Sequence, residues 1–408
     1  MFGLFKKKPR IPSALLLKNL DSPVADKEIN RPELEIRGWL AFNHQFDVKN
    51  LKLTLETGKL SLPVAEEDRP EIAEGLPNEF VYGFNTFFDI HEDLQAGDSQ
   101  WANEPYLKIC WPDGEETLPV KFKLDPDVDS APSYFHSSDK SHANAQIDDA
   151  QLSSWRENGF ILLEGFYSGT EIDDITTILE SAWDNRSQFS AQVSVDQYIG
   201  TDKEERRSFA EADPKIRNTP YKLNDLYLES DRLRDYIMGQ RLRDSLVPLI
   251  GGTPMICNSL SFEYGSQQQD HFDTFFMPPL TRNRMAASWI ALEDVDKDAG
   301  PLRYYPGSHK IPPYRFKSGR YNLNLAEHAE CYQYIDGELA SRNLEPVEFS
   351  AKKGDVFIWH AHLLHGGLPI NNPDLNRRSL VTHYFCQEDW DEYYYKEYKP
   401  GYYYLKRT

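Results

Sequence analysis

Asp270-His271-Phe272-Asp273, followed far downstream by His365-Gly366-Gly367 and then Arg377-Arg378-Ser379, is the stretch on which the reading of this chain turns. Residues i and i+2 of an extended segment point the same way, so His271 and Asp273 can meet one metal ion from one strand. His365 would complete a face of two imidazoles and one carboxylate. That donor set suits non-haem Fe(II) and leaves the opposite positions open for a co-substrate and O2. Arg377 follows His365 by twelve residues (377 − 365), enough for a turn and a return strand. Its planar fork can hold a carboxylate through two charge-assisted hydrogen bonds.

From Pro254 onward strands predominate, at Met255–Tyr264, Met285–Leu292, Val356–His365 and Arg378–Phe385. Their alternation and order predict a double-stranded β-helix, or jelly roll, whose mouth is a natural cavity for a small ligand. If Val356–His365 is one strand, Phe357, Trp359, Leu363 and His365 share an inner face, while His360 and His362 point outward. Either of those two remains an alternative third ligand. Arg377 and Ser379 share a face on the return strand, with Arg378 opposite as the alternative anchor. The pair His271/Asp273 also has a plain reading as a hydrogen-bonded strand end, and His309 reads as a loop-packing residue.

The 408 residues predict two domains, and a net charge of −20 argues against a nucleic-acid backbone or an anionic membrane as main partner. Cys110, Cys257, Cys331 and Cys386 show no paired spacing, so neither a disulfide framework nor a zinc site is expected. The start lacks an apolar leader segment and no stretch has the roughly 20 apolar residues that span a bilayer. A cytoplasmic protein is the expectation. The basic cluster Lys6–Arg10 is either solvated or brushes a membrane surface.

A polar linker is expected at 126–147, between an N-terminal domain over 1–125 and a second domain over 148–408. The first domain reads as a small antiparallel β-sandwich. Its short alternating runs are Leu34–Trp39, Leu51–Leu55, Tyr82–Ile90, Tyr106–Trp111 and Val120–Leu124. In the second domain Ile172, Ile175, Ile178, Leu179 and Trp183 mark one face of a helix over Thr170–Trp183. The charged stretch 187–220 is expected to act as a lid.

The chain from about Asp148 to Tyr384 resembles the phytanoyl-CoA dioxygenase-like family of Fe(II)/2-oxoglutarate oxygenases. The resemblance rests on Leu152–Ile161, Gly165-Phe166, the His271/Asp273 motif, Gly300-Pro301-Leu302 with Pro306-Gly307-Ser308-His309-Lys310, and Gly354-Asp355-Val356. It implies Fe(II) held by His271, Asp273 and His365, with 2-oxoglutarate and O2 as co-substrates. It further implies that Arg377, Ser379, Lys222 and Trp289 bind 2-oxoglutarate. Many members carry Ser where Gly367 stands, which shifts weight onto Arg377, Ser379 and Lys222. The retained Asp273 speaks against a halogenase of this fold. Arg37-Gly38-Trp39, Arg69–Ala73 and Tyr82-Gly83-Phe84 resemble small immunoglobulin-like modules beside glycan-modifying enzymes. The function so implied is hydroxylation of a small-molecule or conjugated metabolite. The competing class is a catalytically silent jelly roll that binds a glycan or protein. A metal-binding cupin, which groups its ligands as His-x-His, would use His360-Ala361-His362 but finds no acidic partner nearby.

Overall fold

In a computed structural model the chain is described at residues 15–22, 28–29, 33–47, 50–56, 61–63, 65–67, 69–77, 79–89, 106–121, 123–124, 147–199, 201, 203–281, 283–314, 316 and 322–407. The linker expected at 126–147 lies outside these residues apart from Ile147, as does the cluster Lys6–Arg10. The described residues form two compact units.

The first unit has two four-stranded antiparallel sheets. One orders β1 (Leu15–Ser22), β3 (Glu33–Phe42), β7 (Phe80–Asp89) and β6 (Ala65–Glu67); the other orders β5 (Ser61–Pro63), β4 (Lys52–Glu56), β8 (Tyr106–Trp111) and β9 (Gly114–Pro119). A two-residue parallel bridge joins β2 (Glu28–Ile29) to β10 (Lys123–Leu124). Alternation buries Leu107, Ile109 and Trp111 of β8 against Ile36, Leu40, Phe42, Leu55 and Phe84. This is the expected sandwich. The strand expected over Val120–Leu124 shrinks to β10, and β9 was missed because an edge strand rich in Glu carries no apolar run.

The second unit is a jelly roll. Its ten-stranded sheet runs β11 (Phe160–Leu163), β19 (Val356–His360), β16 (Met285–Ala291), β21 (Ser379–Cys386), β15 (Pro254–Phe262), β14 (Tyr221–Asn224), β12 (Ser194–Gln197) and β13 (Glu205–Ser208). The C-terminal strands β22 (Tyr395–Lys399) and β23 (Tyr402–Leu405) add to it, β23 pairing in parallel with β15. A three-stranded sheet orders β18 (Val347–Phe349), β17 (Leu302–Tyr304) and β20 (His365–Gly367).

Every residue of β16, β19 and β21 is buried, yet the two-residue period still sorts them. Ala286, Ile290, Val356, Ile358, Leu380 and Tyr384 pack outward with Ile172, Ile175, Leu242 and Leu246 from the covering helices. Ala287, Trp289, Phe357, Trp359 and Val381 point the other way, into the barrel with Leu302 and Tyr304. The helix over Gly169–Asp184 is opened by a reciprocal cap between Ser168 and Glu171 and buries the apolar face foreseen for it.

One expectation needs correction. Val356–His365 is not one strand: β19 ends at His360, residues 361–364 turn, and β20 joins the other sheet. His360 keeps the outward face of β19 with Val356 and Ile358, buried against Trp155, and His362, beyond the break, is buried as well. His362 lies between Thr274 Oγ1 (2.9 Å) and the Ile311 carbonyl (3.1 Å), with its ring stacked on Phe272. Within 187–220, β12 and β13 form a hairpin that extends the main sheet beyond β14.

Gly354 precedes β19 at φ +92°, and a Cβ there would stand 2.2 Å from the Tyr167 carbonyl oxygen. Gly165 also has positive φ, but nothing lies within 4 Å of its Cβ position. Strained backbone costs roughly 1–3 kcal/mol. Gly165→Ala should therefore cost about 1 kcal/mol, and Gly354→Ala clearly more because backbone must also move. Equal losses in denaturant unfolding would contradict this.

Candidate metal centre

His271 forms an isolated antiparallel bridge with His365: each backbone N–H donates to the other's carbonyl, at 2.8 and 3.1 Å. Phe272 is extended (φ −99°, ψ 135°), and Asp273 then opens a short 3-10 turn. One extended residue is enough to put His271 and Asp273 on the same side, while Phe272 packs away against His362. The motif is anchored at its start by Asp270. Arg303 grips that carboxylate through Nε (3.1 Å) and Nη2 (2.6 Å), and Tyr305 donates to it at 3.0 Å. The loop after β17 also sets the second histidine, since Ser308 Oγ accepts from the Leu364 amide at 2.8 Å.

The side chains of His271, Asp273 and His365 converge, with one ligand atom from each lying within 4.8 Å of the other two. Nδ1 of His271 donates to the Gln269 carbonyl (2.8 Å) and Nδ1 of His365 to that of Leu363 (2.9 Å). A carbonyl only accepts, so each proton sits on Nδ1 and each Nε2 carries a bare lone pair. Both Nε2 atoms face Asp273 Oδ1 at 3.7 Å. Lone pairs converging on a carboxylate oxygen out of water repel unless a cation lies between them. The three residues thus fit a divalent metal ion.

Burial and the neighbouring His365 push His271 down to about 3. Burial alone would raise Asp273, but the imidazoles of His365, His383 and His271 outweigh it and hold the carboxyl well below its usual range. Both groups are therefore in their metal-binding forms at neutral pH. Trp359 Nε1 donates to Asp273 Oδ2 at 2.8 Å, leaving Oδ1 for the centre.

A pocket of about 60 Å3 adjoins the three residues and is lined by Trp289, Trp359 and Arg377 among others. Arg377 is 3 % exposed. Its Nη1 donates to the Gly300 carbonyl at 3.0 Å, and burial pushes its pKa down to about 10. Among the described residues no carboxylate pairs with it. Nε of Arg377, Nε1 of Trp289 and Oγ of Ser379 are buried polar atoms without a partner among the described residues. Such atoms call for an acceptor-rich ligand. Ser379 itself does not line the pocket. Arg378 faces away, half-exposed, 3.6 Å from Glu180.

Lys222 is not brought to this pocket. It pairs with Asp196 at 3.1 Å and lines a larger cavity of about 720 Å3 that opens on the same His271 and Asp273. Gly366 and Gly367 do not crowd the metal position either; a Cβ on them would strike Asp270 and Ser266 in the segment leading to His271. Of the basic residues near the motif in sequence, Arg284, Arg303 and Lys310 are tied to Asp389, Asp270 and Glu157, and Arg282 lies outside the described residues. His309 is a packing residue, bonded to the Arg156 carbonyl.

Sequence reasoning missed His383, whose Nε2 stands 3.4 Å from Asp273 Oδ1. The signal was there: alternation from Arg377 through Ser379 and Val381 carries to His383.

A model of the family described as phytanoyl-CoA dioxygenase (PhyH) matches residues 155–379, more than half of the chain. The chain belongs to this family of oxygenases, for which Fe(II), 2-oxoglutarate and O2 are cofactor and co-substrates. It is 23% identical over 270 residues to "Phytanoyl-CoA dioxygenase domain-containing protein 1" of Mus musculus, covering 59% of this chain and 90% of that one. It is 30% identical over 116 residues to the peroxisomal phytanoyl-CoA dioxygenase of Bos taurus, covering 28% of this chain and about a third (32%) of that relative. Among solved structures it is similar to the non-heme alpha ketoglutarate dependent carbocyclase SnoK from nogalamycin biosynthesis (TM-score 0.47, 16% identity, 59% of this chain and 85% of that one). It is also similar to EctD from S. alaskensis (TM-score 0.44, 18% identity, 61% and 81%). Among the described residues no helix is long and apolar enough to cross a membrane.

His365→Ala should abolish Fe(II) uptake in an anaerobic titration. His362→Ala should leave uptake intact while lowering stability by about 1–3 kcal/mol, because it strips two hydrogen bonds from buried partners. The opposite pattern would mean that His362, not His365, is the ligand.

Proposed function

We propose that this protein is a hydroxylase: an Fe(II)- and 2-oxoglutarate-dependent dioxygenase acting on an unactivated C–H bond of a small-molecule or conjugated metabolite. The observation that carries this reading is the pairing of two features across one small pocket. At one end two tautomer-set imidazoles and a carboxylate converge; at the other lies a buried guanidinium with no carboxylate partner among the described residues. His271, Asp273 and His365 hold the metal in this reading. Arg377 takes the distal carboxylate of 2-oxoglutarate, the Trp289 indole N–H supplies a further donor, and Ser379 stands behind the pocket wall on the same strand face as Arg377. Bound iron supplies the oxidising chemistry that couples 2-oxoglutarate decarboxylation to C–H oxidation. The chain orients the co-substrate, keeps water off the buried donors, and leaves the larger cavity beside Asp273 for the substrate.

Lys222 serves that larger cavity rather than the co-substrate. The sandwich over 1–125 is an accessory domain, joined through 126–147 to the oxygenase domain over 148–408, and the setting is cytoplasmic. A silent binding protein would have no use for three convergent metal donors together with a buried arginine that no carboxylate among the described residues pairs with.

The test is succinate formation by protein loaded with Fe(II), ascorbate and 2-oxoglutarate, screened against small-molecule and conjugated substrates. Substrate-dependent succinate supports the reading; no turnover of 2-oxoglutarate under any condition would refute it. Truncating one partner of a buried charge pair costs about 2–5 kcal/mol. Arg377→Ala should therefore weaken 2-oxoglutarate binding roughly 30-fold or more, at about 1.4 kcal/mol per decade. Arg378→Ala should cost less than about 1 kcal/mol, as an exposed pair does. Equal losses from the two would show that the clamp is misassigned.

A further inference from the structure

We infer that the substrate of this site carries an oxyanion, a carboxylate or a phosphate, held by Lys222 and Arg206 on the wall of the larger cavity, while an apolar carbon segment lies beside the metal position. This rests on the hydroxylase reading, which leaves that cavity to the substrate.

The cavity of about 720 Å3 is of a size that takes a small metabolite, and its two ends differ in chemistry. Where the main sheet extends past β15, the two-residue period sends Val195, Tyr221 and Leu223 into the core behind the sheet. The opposite face, with Ser194, Arg206, Lys222 and Asn224, lines the cavity.

Asp196 of β12 is the cross-strand neighbour of both Arg206 on β13 and Lys222 on β14, so the row reads cation, carboxylate, cation across three strands. Arg206 alone satisfies the buried carboxylate: its Nε reaches Oδ1 at 2.5 Å and its Nη2 reaches Oδ2 at 2.8 Å. Lys222 is then a second cation that Asp196 does not require. Its Nζ lies 3.1 Å from Asp196 Oδ2, and an ammonium has three donors. Among the described residues it has no other partner, so two N–H bonds remain for the cavity it lines. The Lys222 side chain is only 22 % exposed, and a bound anion would offset the cost of withdrawing its charge from water.

Nearby carboxylates do not take up this capacity. Of those lining the cavity, Asp225 is gripped by Arg407 through Nε (2.9 Å) and Nη2 (2.7 Å), and Asp273 faces the imidazoles of the metal centre. Glu204 acts on Arg206 from the exposed position before β13 and does not line the cavity. The co-substrate has its own anion site. Phe262, the cross-strand neighbour of Lys222 on β15, lines the small pocket with Arg377, and Lys222 does not.

The end beside the metal position is apolar. Leu260, Phe276 and Met277 line it next to His271. Phe276 is a large apolar ring that stays 54 % exposed, and it meets the His271 ring edge-on at 5.4 Å. An apolar wall suits the carbon segment whose C–H bond is attacked, and a few placed charges at the far end fix its orientation.

The experiment is isothermal calorimetry on anaerobic full-length protein loaded with Fe(II) and saturated with 2-oxoglutarate, repeated on the metal-free protein. The probes are hexyl phosphate, hexanoate and, as the neutral control, hexanol. At least one anion should bind about 10-fold or more tightly than hexanol, as charge-assisted hydrogen bonds imply, and the tighter of the two identifies the group. Lys222→Met should remove that preference while melting temperature and affinity for 2-oxoglutarate stay as in wild type. Lys222→Arg keeps a cation and should keep the preference. Arg206→Met leaves Lys222 to neutralise Asp196 and should remove it as well. Wild type that binds hexanol as tightly as both anions overturns the proposal, and so does a preference that survives the two Met substitutions. Lys222→Met protein that loses affinity for 2-oxoglutarate instead assigns the lysine to the co-substrate and also overturns it. Wild-type protein that takes up neither Fe(II) nor 2-oxoglutarate would sink the hydroxylase reading itself, whatever its preference among the three probes.

Discussion

A carboxylate placed where water does not reach must be compensated by the groups around it, and Asp273 is the carboxylate on which this site is built. One oxygen is held by the Trp359 indole; the other is faced by three imidazoles, and the bare Nε2 atoms of His271 and His365 among them leave the compensation on that side to a metal ion. Those imidazoles come from the segment after β15, from β20 and from β21, which belong to different sheets of the jelly roll. The barrel therefore has to close in register before the site exists. A one-residue slip in β21 would turn His383 and Arg377 out of the barrel together.

The same alternation explains why one strand serves both stability and chemistry. In β21, Leu380 and Tyr384 pack against the helical layer, and Val381 and His383 face the barrel. The helices hold the strand from behind, so the polar inner residues sit on a rigid support. Loops complete the arrangement through specific bonds rather than bulk. Asp270 is fixed by Arg303 and Tyr305, and the amide before His365 is fixed by Ser308. The Pro-Gly-Ser-His loop thus acts on the metal site without touching it.

Much of this was legible in the sequence, for identifiable reasons. Strong periodicity placed the helix over Gly169–Asp184 and strands β8, β16 and β21 within a residue or two. The inner face of Phe357, Trp359, Leu363 and His365 was right even though the supporting strand breaks after His360. Residues on either side of a crossover can share a cavity without sharing a strand. What escaped depended on contacts distant in sequence. Lys222 pairs with Asp196 on β12 and lines the larger cavity beside His271 and Asp273, a pairing that the local sequence does not signal. In the Tyr-rich C-terminal stretch, Tyr404 is buried and Tyr398 packs beside it, whereas Tyr393 stays exposed.

The central claim is that the converging donors and the buried Arg377 serve one metal and one keto acid at the same time. Optical absorption of the anaerobic protein tests it most directly, as 2-oxoglutarate is added to the Fe(II)-loaded form. The account predicts a weak visible metal-to-ligand charge-transfer band that saturates with 2-oxoglutarate and is absent with either component alone. Fe(II)-loaded protein that binds 2-oxoglutarate without that band would place the keto acid away from the metal and contradict the account.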